Sequence, residues 1–515
     1  MNSRYIKINK ADNVGIAIES LAKGEGIEIA GQKFTLADDI PAGHKFLIDD
    51  LETGEDVIKY GCPIGHLLEP RKQGCLVDDR HIKTNLSGLL DYTYSPVFNA
   101  ETLEKGGDCH MDYPTDGIPR TFKGYRRSNG DVGIRNELWV IPTVGCVNGI
   151  VNQIVNRLKA DLHFSNGCKA NGIERIVAFN HNYGCSQLSD DHENTRKILR
   201  DMVLHPNAGA VLVVGLGCEN NQPRLFEELL GDYDNSRIRF LISQEVEGDE
   251  VEAGLSTCKE LYELASADHR EEIPLSELRV GLKCGGSDGF SGITGNPLLG
   301  VFSDFIVSQG GTTVLTEVPE MFGAETILMN RCASKELFDQ TVSLVNDFKN
   351  YFLSHGEPVG ENPSPGNKAG GISTLEEKAL GCTQKCGKSA VRGVLGYGDR
   401  LSSKGLNLLS APGNDLVAST ALASCGCHIV LFTTGRGTPF GTFVPTLKVS
   451  TNSGLSFRKP TWIDFNAGTL VAGASMQDVF HDFANKVIAV ASGETTWNER
   501  KDYQEISIFK NGVTL

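Results

Sequence analysis

The sequence has 14 cysteines among 515 residues, yet no two of them form a Cys-X-X-Cys pair. That absence argues against a zinc ribbon and against a thioredoxin-type redox pair. No apolar stretch approaches the ~20 residues of a transmembrane helix, and the N-terminus lacks the apolar core of a signal peptide. These absences predict a cytoplasmic protein without a membrane partner, whose cysteines are free thiols.

Basic residues are too few for a protein that binds nucleic acid. Lysine and arginine number 49 against 65 acidic residues, which gives a net charge of −16. An anionic ligand must therefore meet a local basic patch. The sequence Gly215-Leu216-Gly217 is only part of a GxGxxG motif, which argues against a nicotinamide-dependent dehydrogenase.

The length of the chain allows about three domains at ~150 residues each. Residues 1–95 contain short alternating apolar runs separated by turn residues, which predicts a small β-domain. Residues 96–120 are polar and rich in proline and glycine, as in a linker. From residue 121 strands and helices alternate, which predicts two α/β regions with mainly parallel sheets, at 121–275 and 276–515.

Four cysteines share one local pattern, in which an apolar strand ends at a glycine beside the cysteine. They are Cys146, Cys185, Cys218 and Cys284. Because the carboxyl ends of parallel strands open onto one crevice, we expect these thiols to converge there, with Glu219 as a further ligand. Thiolates bind iron, so the pattern predicts Fe²⁺ or an iron–sulfur cluster, with Mn²⁺ as an alternative. Ordinary core packing of each thiol is the competing interpretation.

Three glycine-rich polar loops border the predicted strands of the C-terminal region, at 284–297, 362–371 and 433–441. Such loops expose backbone N–H groups and allow an anion to approach closely. Their hydroxyl, amide and charged side chains fit a polyhydroxy carboxylate. The candidate substrate-binding residues are Ser287, Asp288, Asn367, Lys368, Arg436 and Thr438.

Proton transfer needs a side chain that changes its charge near neutral pH, which favours histidine. The turn at 43–45 supplies His44 and Lys45, the leading candidates, and Tyr183 and His181 come next. The turn takes part only if the β-domain covers the crevice of a later domain. For Tyr183 and His181, helix capping is the competing interpretation.

Several long motifs resemble those of the altronate/galactarate dehydratase family of sugar-acid lyases. They are GHK at 43–45, NGDVGIRNELWVIPTVGCVNG at 129–149, HNYGC at 181–185, GLGCENNQ at 215–222, CGGSDGFSGITGNP at 284–297, TEVPEMFGAE at 316–325, NPSPGNKAGG at 362–371 and GRGTPFG at 435–441. The resemblance covers nearly the whole chain. It implies a SAF-type N-terminal module, two α/β regions, and dependence on iron with a response to manganese.

The resemblance also implies a reaction, the conversion of D-altronate to 2-dehydro-3-deoxy-D-gluconate and water, with galactarate or another sugar acid as the alternative substrate. We expect the proton α to the carboxylate to be removed and the β-hydroxyl to be expelled, with a metal acting as a Lewis acid. A non-catalytic sugar-acid-binding protein is the alternative from another class. It predicts saturable binding without formation of a keto acid. We also expect a homo-oligomer, specifically a dimer.

Overall fold

The computed structural model describes residues 4–104, 109, 111–167, 172–512 and 514–515. The N-terminal region consists of short antiparallel strands, because turn residues interrupt its alternating pattern every few positions. They are β1 (Tyr5–Ile6), β2 (Val14–Ala17), β3 (Gly26–Ile29), β4 (Gln32–Thr35), β5 (Lys45–Leu47), β6 (Asp56–Lys59), β7 (Cys62–Leu67), β8 (Leu76–Val77) and β9 (Ile82–Lys83). They pair in the orders β1-β2-β5-β8, β3-β4 and β6-β7-β9. The small β-domain is confirmed.

The segment that follows contains one short helix and then the first α/β region. The elements are α1 (Ala100–Glu104), β10 (Thr121–Arg126), β11 (Val132–Gly133), β12 (Glu137–Pro142), α2 (Asn148–Asp161), β13 (Arg175–Ala178), α3 (Ser189–Val203), β14 (Ala208–Gly215), α4 (Pro223–Leu230), β15 (Ile238–Ile242), α5 (Glu250–Ser266) and β16 (Glu271–Pro274). A parallel four-stranded sheet has the order β13-β12-β14-β15. Beside it, β11-β10-β16 form a small antiparallel sheet.

The C-terminal region contains a seven-stranded parallel sheet. Its elements are β17 (Arg279–Cys284), α6 (Gly295–Ser308), β18 (Thr312–Leu315), α7 (Glu325–Met329), α8 (Lys335–Ser354), α9 (Pro365–Lys368), α10 (Leu375–Cys382), β19 (Val391–Leu395), β20 (Gly405–Leu409), α11 (Asp415–Ser424), β21 (Ile429–Thr434), β22 (Thr446–Ser450), α12 (Ser453–Arg458), β23 (Phe465–Asn466), α13 (Met476–Ala491) and α14 (Trp497–Arg500). The strand order is β19-β20-β18-β17-β21-β22-β23. The predicted α/β class with parallel sheets is confirmed.

Shared apolar contacts join the three regions. Trp139 of β12 packs edge-on against Phe443 of the C-terminal region, with ring centroids 5.7 Å apart. The core of the β-domain continues into α10 through Ala379 and Leu380. In the described part of the chain, every helix is too short or too polar to cross a bilayer.

Candidate active site

The carboxyl edge of the seven-stranded sheet has the topology at which open α/β sheets bind ligands. Strands β18, β20 and β19 lie on one side of β17, and β21, β22 and β23 lie on the other. The strand order therefore reverses beside β17. A cavity of about 540 Å³ lies at this edge, with a lining that includes residues 285–286 and 361–365. Its volume falls within the range of about 300–1,000 Å³ that is common for small-molecule sites.

Glu320 and Lys378 form a buried ion pair in the wall of this cavity. Glu320 Oε1 and Lys378 Nζ lie 2.8 Å apart. Lys378 Nζ also donates to the side-chain oxygens of Asn362 and Asn367, at 3.1 and 3.2 Å. Burial, together with the negative charge of Glu317, raises the pKa of Glu320 above its ordinary value. The pair therefore combines a cation for a carboxylate ligand with a carboxyl group that can accept a proton.

A second charged cluster supports the ends of β17 and β18. Glu317 accepts hydrogen bonds from Lys283 through one oxygen and from Lys385 through the other, the second at 2.8 Å. The Cys284 N–H also donates to Glu317, at 3.0 Å, and Lys283 Nζ donates to Asp415 at 2.9 Å. Burial alone would raise the pKa of Glu317, but the two ammonium groups hold it below its ordinary value. Glu317 has a left-handed backbone, with φ of 69°, a conformation that costs a non-glycine residue about 1–3 kcal/mol.

Cys284 belongs to this site and not to a four-thiol centre. It ends β17, whereas the other three candidate thiols follow strands of the four-stranded sheet. Its Sγ lies 2.7 Å from Ser287 Oγ, and the hydrogen bond with Cys382 holds the pKa of Cys284 well below its ordinary value. The prediction that all four thiols share one crevice is wrong, because each sheet has its own carboxyl edge.

Cys146, Cys185 and Cys218 do lie on three neighbouring loops. The loop after β12 donates a backbone hydrogen bond to the loop after β13, and the loop after β14 donates another, both of 2.9 Å. All three thiols are exposed. Their chemistry suits iron. However, within the residues that the structure describes, no three His, Cys, Asp or Glu side chains are arranged to hold a metal ion. No reaction step is therefore assigned to a metal.

Glu219 braces the loop after β14. One carboxylate oxygen accepts from Thr143 Oγ1 at 2.7 Å and from the Leu216 N–H at 3.1 Å. The other accepts from the Gly217 N–H at 2.6 Å. Glu219 is also buried, with 1% of its surface exposed. Its predicted role as a metal ligand is replaced by this structural one, because both oxygens satisfy groups of the loop and its neighbour.

His181 and Tyr183 also have structural partners. His181 Nε2 lies 2.7 Å from the Pro142 carbonyl oxygen and Nδ1 accepts from the Tyr183 N–H at 3.1 Å, so both ring nitrogens are occupied. Burial lowers the pKa of His181 to about 4. The Tyr183 hydroxyl accepts from the Ile508 N–H at 3.2 Å and contacts Ser507. These contacts favour a structural role for both residues, and their part in proton transfer stays a prediction.

The turn at 43–45 reaches the C-terminal region. A side chain at Gly289 would lie 2.0 Å from the Gly43 carbonyl oxygen, and one at Gly371 would lie 2.4 Å from it. Glycine is needed at 289 and 371 because the backbones approach so closely. His44 is half-buried at this contact, with Nδ1 3.3 Å from the Ala42 carbonyl oxygen. The β-domain therefore packs against two of the glycine-rich loops that border the seven-stranded sheet, and the role of His44 in proton transfer stays a prediction.

Lys45 anchors the β-domain. Its fully buried ammonium donates to Gly371 O at 3.0 Å, to Ser373 Oγ at 2.7 Å and to Glu377 Oε2 at 2.8 Å. All three N–H groups therefore have protein acceptors, and Lys45 does not line the main cavity. Lys59 binds the other oxygen of Glu377 at 2.7 Å. Burial would raise the pKa of Glu377, but the two lysines hold it at about 2. These contacts give Lys45 the role of an anchor, and its catalytic role stays a prediction.

Replacing Lys45 should therefore lower stability. Lys45→Ala leaves the buried Glu377 with one cation instead of two, so we expect a loss of about 3 kcal/mol, or roughly 5–10 °C in Tm. Thermal unfolding followed by circular dichroism measures this. Lys33→Ala is the matched control, because the Lys33 side chain is 78% exposed and its change should shift Tm by less than about 2 °C. Equal Tm values for the two variants would contradict the anchor.

The other predicted substrate-binding residues are divided among several positions. Asn367 and Lys368 line the main cavity. Ser287 and Asp288 line a smaller enclosed space, where the Asp288 carboxylate accepts from Thr451 Oγ1 at 2.8 Å and so braces the loop.

Arg436 and Thr438 lie on the third glycine-rich loop. The Arg436 side chain is exposed. The backbone N–H of Arg436 donates at 2.9 Å to the carbonyl oxygen of Gly286, a residue that lines the cavity. Thr438 Oγ1 accepts from the Phe440 N–H at 3.2 Å.

The sequence interpretation missed Glu320 and Lys378. Glu320 comes soon after β18, so the strand-end rule that singled out the cysteines could have found it. Lys378 lies within α10, four residues after the N-cap Thr374, where no strand-end pattern marks it.

Family models match the chain in three consecutive parts. They describe an altronate/galactarate dehydratase SAF domain at residues 3–85, the second domain of D-galactarate dehydratase/altronate hydrolase at 124–266, and the C-terminal part of D-galactarate/altronate dehydratase at 275–514. These three matches together define a dehydratase of the sugar-acid class. The chain belongs to the altronate/galactarate dehydratase family.

Curated relatives cover almost the full length. An altronate dehydratase of Escherichia coli is 54% identical over 99% of this chain and 100% of the relative. An altronate dehydratase of Bacillus subtilis is also 54% identical, over 99% of both chains. A galactarate dehydratase (L-threo-forming) of Escherichia coli is 33% identical over 95% of this chain and 93% of the relative.

Proposed function

We propose that this protein is a hydro-lyase that converts D-altronate to 2-dehydro-3-deoxy-D-gluconate and water. The observation that carries the proposal is the 54% identity to altronate dehydratases over 99% of the chain. The cavity supports it, because the buried Lys378 ammonium in its wall is a point at which a substrate carboxylate can bind.

The chemistry also fits the charged lining of the cavity. A positioned base supplies about 10²–10⁴-fold, or roughly 3–5 kcal/mol, whereas enzymes lower barriers by about 8–23 kcal/mol. Most of the remaining effect must come from stabilising the charge that builds up on the substrate carboxylate. Lys378 Nζ donates to the side-chain oxygens of Asn362 and Asn367 at 3.1 and 3.2 Å, and it can exchange one of these hydrogen bonds for that carboxylate.

The test is a panel of aldonic and aldaric acids, with formation of a 2-keto acid as the readout. We expect D-altronate to be the preferred substrate. Preference for galactarate, whose two carboxylates need a second cationic clamp, would reassign the substrate within the family. Saturable binding without a keto acid would identify the non-catalytic alternative, and reduction of NAD would identify a dehydrogenase. The expected dimer is tested by light scattering of the same preparation.

Iron is the second part of the proposal, with Mn²⁺ as the alternative. Three exposed thiols on neighbouring loops support it. We expect anaerobically purified protein to contain iron, and Cys185→Ser or Cys218→Ser to lower the iron content at least fivefold in elemental analysis. Cys75→Ser, in the β-domain, is the control and should leave the content unchanged. Iron-free wild type, or full iron content in both serine variants, would contradict a thiol-held iron.

A further inference from the structure

Three carboxylates line the main cavity, and Glu320 differs from the other two in its surroundings. Glu361 is exposed to solvent. The Asp415 side chain is 35% exposed and is held by Lys283 at 2.9 Å. Glu320 is 3% exposed, and a buried carboxylate that is desolvated binds a proton more tightly than one in water. It is therefore the cavity carboxylate best suited to act as a base.

The two oxygens of Glu320 have different partners. Oε2 accepts from Cys382 Sγ at 3.1 Å, whereas Oε1 lies 2.8 Å from Lys378 Nζ. A Cβ at Gly413, which also lines the cavity, would lie 3.3 Å from Oε1, so Oε1 lies on the Gly413 side of the cavity wall. A substrate carboxylate bound to Lys378 Nζ would therefore lie beside Oε1, with its α-carbon one bond away.

We infer that Glu320 is the catalytic base that removes the α-proton of the sugar acid, with Lys378 holding the substrate carboxylate beside it. The C2–H bond breaks and its electron pair becomes the C2=C3 double bond as the C3–O bond breaks. Glu320 passes the proton it has taken to the departing hydroxyl, which leaves as water. The enol that remains tautomerises to the 2-keto acid. This inference rests on the proposed dehydratase activity and deepens it.

The test compares Glu320→Gln with wild type on whichever acid of the panel the wild type dehydrates best. We expect kcat to fall at least 100-fold, KM to change by less than about threefold, and Glu320→Asp to recover part of the rate. With substrate deuterated at C2, the kinetic isotope effect on kcat/KM should rise in Glu320→Gln, because proton transfer has become slower. A purely structural role would leave the isotope effect unchanged.

The matched control is Glu325→Gln. Glu325 is also buried and pairs with Lys349 at 2.9 Å, but it does not line the cavity. Its replacement should keep kcat within about twofold, and circular dichroism confirms that each variant is folded. His44→Ala is assayed in parallel, because His44 is the competing base.

Three results would overturn the inference. The first is a kcat of Glu320→Gln within fivefold of wild type. The second is a lower kcat without a larger isotope effect. The third is a larger isotope effect in His44→Ala but not in Glu320→Gln, which would make His44 the base. If the wild type dehydrates no acid of the panel, the proposed function and this inference both fall.

Discussion

Lys378→Met is expected to lower kcat/KM for D-altronate at least about 1,000-fold. The change removes a charge-assisted hydrogen bond worth about 1.5–3 kcal/mol to a bound carboxylate. It also removes a fixed positive charge where negative charge builds up in the transition state, an effect of about 2.7–4 kcal/mol. Even about 4 kcal/mol of combined loss corresponds to three orders of magnitude. Steady-state kinetics on the folded variant measures the effect.

Lys368→Met is the matched control for this prediction. Lys368 also lines the cavity, but it is only half-buried, so solvent screens its charge and about a tenfold loss is expected. Comparable kinetics for the two variants would show that the cavity attracts anions without positioning them. A Lys378→Met enzyme within tenfold of wild type would move the carboxylate site elsewhere, and the exposed Arg436 would then be the next residue to replace.

The architecture could be predicted from the sequence because its signals are local. Strands β17, β18, β20, β21 and β22 correspond to apolar runs that the sequence shows directly. The alternation of strands and helices expected from residue 121 includes α3 and α4, and α4 begins at Pro223, whose fixed φ suits a first helical position. The loop at 362–371, expected without a helix, contains the single turn α9, capped by Ser364.

The site was harder to predict because it depends on which strand ends share an edge. The rule that ligands gather at the carboxyl ends of strands applies within one sheet, and sequence does not show where one sheet ends and the next begins. Cys284 was therefore grouped with thiols of another sheet. His181 was misjudged for a different reason, since its ring is occupied by backbone groups of a loop whose path no pattern reveals.

Glu317→Gln should lower stability more than Lys45→Ala does, by about 4 kcal/mol, or roughly 10 °C in Tm. The carboxylate neutralises two lysines, Lys283 and Lys385, whose side chains are at most 1% exposed. An amide keeps one acceptor oxygen, places an NH2 donor at the other position and carries no charge, so Lys385 loses its ion-pair partner in a buried site. Asp339→Asn, which breaks an ion pair more than half exposed on both sides, is the control and should change Tm by less than about 2 °C.

The pH dependence of Tm and a double variant separate the effect of the Glu317 charge on stability from the effect of its packing. The pKa of Glu317 is held below its ordinary value, so its stabilising charge is fully present above that ordinary value and is lost as the pH falls through the folded-state value. The Tm difference between wild type and Glu317→Gln should accordingly be largest near neutral pH and shrink in acid. Adding Lys385→Met to Glu317→Gln removes the unpaired ammonium and leaves the Lys283–Asp415 pair intact. The double variant should therefore recover part of the Tm that Glu317→Gln loses. A Tm difference that is independent of pH, with no recovery in the double variant, would mean that Glu317 stabilises the sheet edge by packing alone.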